Sequence, residues 1–405
     1  MTVERVVTLV LVDPSRTLVG VLPPYAAELP WWQEAGDVVR LARELHGAEV
    51  VVLRLLRAEL AASPGGAVTY LAEVDAATAA RLDGALAAVP ADIRDQALGL
   101  DPRRAAYAEV GGPAESLRWA AEQLGGLAVT EQQRTWNLSS LWRLTAVDGR
   151  VAWLKQVPEF FAHESTVLRW LGERLPQLAP PLLAVGRHGR QLLAEVPGDD
   201  LYDADVATRI QILHRAHEVQ LASLHDLDTL VAEGLPERRG PAMAAWIRAV
   251  LASHVGDHPA RALLERLDTL IAEVESCGFP DTLVHGDAHG GNVRSDGERL
   301  VFLDWGDSFA GHPAFDAITL TRACDPTTQA TVLAAWCDLW RRSAPGCDPE
   351  RALALLHPIA SLRSAAVYAE FCHLIESSEV PYHRDDVPAW LDRAVPPAPG
   401  RWSAT

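Results

Sequence analysis

Lysine is almost missing from this chain. Among 36 basic residues a single lysine occurs, Lys155, and asparagine occurs only at Asn137 and Asn292. Arginine has replaced lysine nearly everywhere, as a GC-rich coding bias would produce. Under that pressure a retained Lys or Asn marks a place where the substitute fails. Cysteine is also sparse. Cys277, Cys324, Cys337, Cys347 and Cys372 are odd in number and no two have CxxC spacing. That argues against a disulfide framework or a zinc site and fits a reducing, cytoplasmic compartment. Long apolar runs are lacking too. Val6–Val12, bracketed by Glu4 and Asp13, is too short to cross a membrane and lacks the charged start of a signal peptide, so it reads as a strand. Basic charge is in deficit: the formal net charge is -18. This disfavours nucleic acid as a partner and permits a cationic ligand. No internal repeat or low-complexity tract is present, and only the Pro-rich tail after Val395 looks loose.

What remains is an ordinary globular composition, 49% hydrophobic and 22% charged, over 405 residues, enough for two or three domains. Residues 5–12 and 17–22 read as strands around Asp13-Pro14-Ser15-Arg16. Trp31 to His46 has helical apolar spacing and stops at Gly47. Strands follow at 49–55 and 67–74, then helical stretches at about 75–88 and 114–124. This N-terminal α/β unit loosely resembles a Nudix-type fold. Arg43-Glu44-Leu45 sits at the metal helix, but His46 and Gly47 stand where the paired glutamates belong. A catalytically silent cap is the expectation for residues 1–125. From 126 a hairpin, 140–147 and 150–157, turns at Asp148-Gly149. A helix at about 162–174 and strands near 181–186 and 190–196 follow, and from 203 the chain is mainly helical around a β-rich interlude at 282–304.

The interlude carries the chemistry. Leu283-Val284-His285-Gly286-Asp287-Ala288-His289-Gly290-Gly291-Asn292 reads H-G-D-x-H-x-x-N, and Asp304-Trp305-Gly306 follows 12 residues after Asn292. Phosphoryl transfer needs a carboxylate that orients the attacking hydroxyl, and oxygen ligands for magnesium. Asp287 suits the first task. The neutral amide of Asn292 and the carboxylate of Asp304 suit the second, and pairing of strands 282–285 and 300–304 is expected to join all three. The rival reading of the same stretch is a metal hydrolase with His285, Asp287, His289 and His312 as ligands.

These residues resemble the catalytic loop and metal segment of the aminoglycoside phosphotransferase and choline kinase superfamily. The resemblance covers roughly residues 126–395. It implies an α+β, bilobal protein-kinase-like fold with the extra α/β cap, divided as 1–125 cap, 126–196 N-lobe and 197–405 helical C-lobe. It implies Asp287 as the catalytic carboxylate, Asn292 and Asp304 as Mg2+ ligands, and ATP as phosphoryl donor. Lys155, on the second hairpin strand, then holds the nucleotide phosphates with Glu164 of the next helix. Asn137, Ser139 and Ser140 fall where a phosphate-covering loop belongs, although no G-x-G-x-x-G precedes Lys155. Glu195-Val196-Pro197-Gly198 resembles the adenine-reading hinge. The helix end Leu221–His225 and the helix-start Asp316 also resemble family features and read as structural. The family's acceptor pocket lies after the metal strand, where Glu370, His373 and Glu376 are expected to share one helix face and to attract an amine. The reading is a monomeric or homodimeric small-molecule kinase acting on an aminoglycoside, amino sugar or related metabolite. A binding module without turnover is the alternative.

Overall fold

The structure, a computed structural model, describes residues 4–60, 63–82 and 84–395. The Pro-rich tail after Val395 lies outside the described residues. The chain divides into two compact units. The first comprises residues 1–162, 182–195 and 371–385, and the second 163–181, 196–370 and 386–405.

The first unit contains two five-stranded sheets. One is built from β1 (Arg5–Val12), β2 (Leu18–Val21), β3 (Tyr25–Ala27), β4 (Val50–Ala58) and β5 (Gly66–Val74) in the order β2-β1-β5-β4, with β3 also on β1. Only β1 and β5 run parallel. The nearly unbroken apolar run of β1 reflects burial on both faces. Val7, Leu9 and Leu11 join Val38 and Ala42 of α1 (Gly36–His46). Val10 and Val12 join Ile93 and Ala97 of α3 (Ala91–Leu98), which follows the short α2 (Ala76–Leu82).

After α4 (Gly112–Leu124) comes the second sheet. It contains β6 (Leu127–Trp136), β7 (Ser139–Ala146), β8 (Val151–Gln156), β9 (Leu182–Val185) and β10 (Arg190–Ala194), in the order β6-β7-β8-β10-β9. Strict alternation on β7 buries Ser140, Trp142, Leu144 and Ala146. Fully buried leucines such as Leu144 and Leu154 are each worth about 1.5–3 kcal/mol. The hairpin at Asp148-Gly149 is present. The strand β6 escaped the sequence reading because residues 130–135 are an unbroken polar run with no apolar alternation.

In the structure residues 1–125 share one compact unit with residues 126–162, 182–195 and 371–385. The side-chain amide of Gln132 on β6 pairs with both backbone groups of Val52 on β4, at 2.9 and 2.7 Å. Residues 371–385 also enter this unit: Glu379 accepts from the Leu55 amide at 3.1 Å. A domain boundary needs few crossing contacts, and here buried hydrogen bonds cross it.

The second unit is mainly helical. It holds α5 (Glu164–Arg174), α6 (Val206–Ser223), α7 (Leu227–Ala232), α8 (Gly240–Leu251), α9 (Arg261–Glu265), α10 (Leu267–Glu275), α11 (Ala314–Thr321), α12 (Pro326–Ser343), most of α13 (Pro349–Leu374) and α14 (Asp386–Ala394). Helix α13 is long and apolar enough to cross a membrane, but Ile359, Leu362, Ala365 and Ala366 are fully buried, as in a core helix. Two small sheets sit among the helices: β11 (Asp199–Asp200), β13 (Val293–Ser295) and β14 (Leu300–Phe302), and separately β12 (Thr282–Val284) with β15 (Phe309–Gly311). The pairing of 282–285 with 300–304 expected from sequence is therefore wrong. Strand β12 takes β15 as partner, and β14 returns on β13. The reason is local: a short hairpin closes more readily than a strand pair spanning the whole loop.

Candidate active site

Strand β12 is fully buried and delivers the loop that begins at His285. The His285 Nε2–H donates to the Leu303 carbonyl at 2.9 Å, and its Nδ1 accepts from the Asp287 amide at 3.3 Å. Both ring nitrogens are therefore used inside the protein, which removes His285 as a metal ligand. Gly286 is clasped from two sides. Its N–H donates to the buried Asp316 carboxylate at 3.0 Å, and its carbonyl accepts from Arg363 of α13 at 3.2 Å. Asp316 also accepts from the His285 amide at 3.2 Å and from Gln220 at 3.0 Å. The Gly286 backbone lies at φ 84°, in the left-handed region.

This frame presents Asp287 with its side chain 38% exposed. Asn292 Nδ2 donates to the Asp287 carbonyl at 3.0 Å and to its Oδ2 at 3.1 Å. His289 accepts from the Gly291 amide through Nδ1, so its Nε2 carries the proton and faces Asp287 Oδ2 at 3.4 Å. Burial works against the charge on Asp287. The bond from His289 and the charges of His289, His285 and Arg322 outweigh it and hold the carboxyl down at about 2. Asp287 in return raises the pKa of His289.

The β13–β14 hairpin brings Asp304 to the same place. The Leu303 amide donates to the Asn292 carbonyl at 2.8 Å. Asp304 has φ 59° and ψ 68°, a left-handed conformation costly for a non-glycine residue and characteristic of functional sites. The next amide, of Trp305, donates to the buried Glu164 carboxylate at 3.1 Å. Asp287, Asn292, Asp304 and Glu164 thus form one connected group in the second unit. Because the Asn292 amide nitrogen points to Asp287, its Oδ1 is left without a donor among the described residues. An amide oxygen beside two carboxylates fits a hard divalent cation.

Lys155, Asn137, Ser139, Ser140 and Glu195 belong to the first unit. Lys155 is buried on β8. Asn137 is buried at the β6–β7 turn and accepts from His383 at 2.8 Å. The hydroxyls of Ser139 and Ser140 accept from the indoles of Trp136 and Trp142, each at 3.1 Å, and Glu195 accepts from that of Trp153. Asn137, Ser139, Ser140 and Glu195 each accept a hydrogen bond from an aromatic ring N–H.

The acidic face expected on one helix does not form. Helix α13 ends at Leu374, before Glu376. Glu370 lies in the second unit, where Trp246 donates to it at 3.2 Å, whereas His373 and Glu376 belong to the first. Glu376 is buried against Arg104 at 2.8 Å and Arg54 at 3.5 Å. Its carboxylate is spent on two arginines that sequence spacing alone does not bring near. Sequence reasoning also missed Arg363 and Arg322. In a chain where arginine is the default cation, neither carries a local signal.

A family model described as "Phosphotransferase enzyme family" matches residues 142–352. Among solved structures the chain is similar to a macrolide 2′-phosphotransferase, MphH, from Brachybacterium faecium, with 20% identity and a TM-score of 0.52 over 71% of this chain and 100% of that one. It is also similar to a macrolide 2′-phosphotransferase type I, with 17% identity and a TM-score of 0.50 over 70% and 97% of the two chains. A choline/ethanolamine kinase family protein from Mesorhizobium loti shows 14% identity and a TM-score of 0.50 over 69% and 93%. No curated protein matches the chain.

Proposed function

The chain belongs to the phosphotransferase enzyme family and is a small-molecule kinase, and from that premise we propose that it moves the γ-phosphate of ATP, with Mg2+, to a hydroxyl of a small molecule. The observation that carries the reading is Asp287. It is an ionised, part-exposed carboxylate fixed by Asn292 and His289 on a loop that Asp316 and Arg363 clasp.

In this reading Asp287 orients the acceptor hydroxyl and takes its proton as the acceptor oxygen forms its bond to the γ-phosphorus. The bond from that phosphorus to the β-bridging oxygen breaks, and ADP leaves with the electron pair. Asn292 Oδ1 and Asp304 would hold the magnesium, and the nucleotide phosphates fall to Lys155. Bound magnesium supplies neutralisation of phosphate charge. The protein contributes position: backbone and side-chain bonds with His285, His289 and Asn292 fix Asp287 before substrate arrives. The reading places the enzyme in the cytoplasm, and the five free cysteines are compatible with that.

The test is an ADP-release screen of hydroxyl compounds with the full chain, ATP and magnesium. Asp287→Ala should lower turnover by about 10²–10⁴-fold while ATP still binds. Turnover like that of the parent by Asp287→Ala would remove the mechanism. ATP binding without turnover on any acceptor would favour the binding-module alternative.

A further inference from the structure

The second unit contains a cavity of about 740 Å³ among α11, α12, α13 and α14. Its wall reaches the catalytic loop. Arg363, on the lining, donates to the carbonyl of Gly286, the residue before Asp287. Arg322, also on the lining, attracts Asp287 electrostatically. The charge of the wall is opposite to that of the chain. Arg322, Arg363 and Arg393 line it, and its carboxylate, Asp392, is taken by His258 at 3.0 Å. This occurs in a protein of formal net charge -18.

Two of the three guanidinium groups are unspent. Arg363 is buried and committed to backbone carbonyls of Gly286 and Asp307. Arg322 and Arg393 instead stack on Trp390 at 4.6 and 4.5 Å from the ring centroid. Neither guanidinium makes a hydrogen bond or ion pair among the described residues, although both lie on exposed residues of the cavity wall. Stacking fixes their planes without using their N–H groups. Two like charges on one indole repel, and an anion between them would relieve the repulsion. The planar fork of arginine matches the paired oxygens of a carboxylate or phosphate. The acids within reach of Arg322 are Asp287 and Asp307, and Asp287 is engaged in the reaction itself.

We infer that this cavity is the acceptor site and that its substrate is an alcohol bearing an anionic group, a carboxylate or a phosphate, held by Arg322 and Arg393 with its hydroxyl toward Asp287. The inference rests on the kinase reading above and replaces the amine-bearing acceptor suggested by Glu370, His373 and Glu376. The transfer is the one already written: the new O–P bond forms at the acceptor hydroxyl, ADP departs, and the proton passes to Asp287. Trp390, buried at the back of the two arginines, supplies an apolar wall for the carbon frame.

The experiment titrates the full chain, loaded with magnesium and ADP, with four matched probes: sorbitol, glucosamine, gluconate and glucose 6-phosphate. The same probes are then offered with ATP in the ADP-release assay. Gluconate or glucose 6-phosphate should bind about tenfold or more tightly than sorbitol or glucosamine. The two acids distinguish a carboxylate from a phosphate site. Arg322→Gln and Arg393→Gln, both at exposed positions, should each remove about tenfold of that affinity, and the preference should shrink as salt rises. Tighter binding of glucosamine or sorbitol, or unchanged binding of the acids to both variants, would overturn the inference. Acid binding with this pattern but no ADP formed from either acid would keep an anion site and overturn its role as the acceptor site; the kinase reading would fall only if no hydroxyl compound of the wider screen released ADP. Turnover of glucosamine but of neither acid would overturn the inference and keep the kinase reading.

Discussion

Gly286 concentrates the demands that the active site places on single residues. Its amide and carbonyl are both bound by charged side chains, and its φ of 84° is one that L side chains rarely adopt. A Cβ built there would lie 2.1 Å from the Asp307 carbonyl oxygen. Gly286→Ala therefore cannot be absorbed by a side-chain rotation. The loop must move, and it carries Asp287 with it. Left-handed alanine costs about 1–2 kcal/mol, and a displacement of about 1 Å at a reacting group costs about 10²-fold in rate. Turnover should fall by that order while the thermal melt drops only modestly, which ADP release and calorimetry on one preparation can separate. Near-normal turnover would show that the clasp does not position Asp287. The motif residues were legible because their spacing encodes one continuous loop. Asp316 was visible only as a helix start, and Arg363 not at all, because their bonds to the loop cross 30 and 77 residues.

At the scale of elements, the segment after α13 shows where sequence reasoning fails. Acidic residues three apart suggest a helix face, but the helix stops at Leu374 and the chain enters a 3₁₀ turn, Ser377–Tyr382, packed into the first unit. Tyr382 meets Trp32 and Trp136 edge-on at 5.5 and 5.6 Å, which fixes the turn there. Burial then decides the role of Glu376. Its side chain is 9% exposed and that of Arg104 3% exposed. Removing one partner of a buried pair leaves an uncompensated charge and costs about 3–5 kcal/mol. Glu376→Gln should therefore lower unfolding stability by about that amount in urea melts. An unchanged melt accompanied by a raised acceptor KM would return Glu376 to the substrate site. Local strands and helices were legible through periodicity. The exchange of β12's partner to β15, and the reach of 371–385 into the N-terminal sheets, were not, since both depend on long-range burial.

The first unit as a whole is interleaved from three stretches of chain, and this bears on what residues 1–125 do. They supply the Val52 backbone for Gln132, the Leu55 amide for Glu379 and Arg104 for Glu376. A chain of residues 126–405 would leave those buried groups unpaired and uncover Trp142 and Leu144 of the second sheet, which pack against Ala120 and Leu124 of α4, so it should be recovered as aggregate rather than as a soluble kinase. Gel filtration of the truncated and full chains checks this. A soluble, melting-competent fragment would restore the separate cap expected from sequence.

The same buried polar groups set how stability depends on pH. Burial and the charge of Glu376 raise Glu379 from 4.5 to about 8, against the opposing pull of the Leu55 amide, Arg54 and Arg104. A carboxyl whose folded pKa is raised stabilises most below its unfolded pKa, and that contribution is lost as pH rises from 4.5 through about 8. Three histidines have the opposite sign. Burial lowers His217 from 6.5 to about 4, and His312 and His383 to about 3. Their contribution is complete above 6.5 and is lost as pH falls toward 3, because the unfolded chain binds those protons first. Between pH 6.5 and 8 the Glu379 slope acts and the histidines are silent; below 6.5 three histidines oppose Glu379 and, below about 6, Asp281, whose carboxyl is raised by burial from 3.8 to about 6. The melting temperature should therefore pass through a maximum near pH 6.5, falling on the alkaline side through Glu379 and on the acid side through the histidines. Glu379→Gln keeps an oxygen for the Leu55 amide but cannot titrate. Relative to the parent, this variant should gain stability as pH rises from 6.5 to about 8 and level off above that, while its acid limb persists. Thermal melts of both proteins across that range decide the matter, and parallel alkaline limbs would show that Glu379 is ionised in the folded protein throughout.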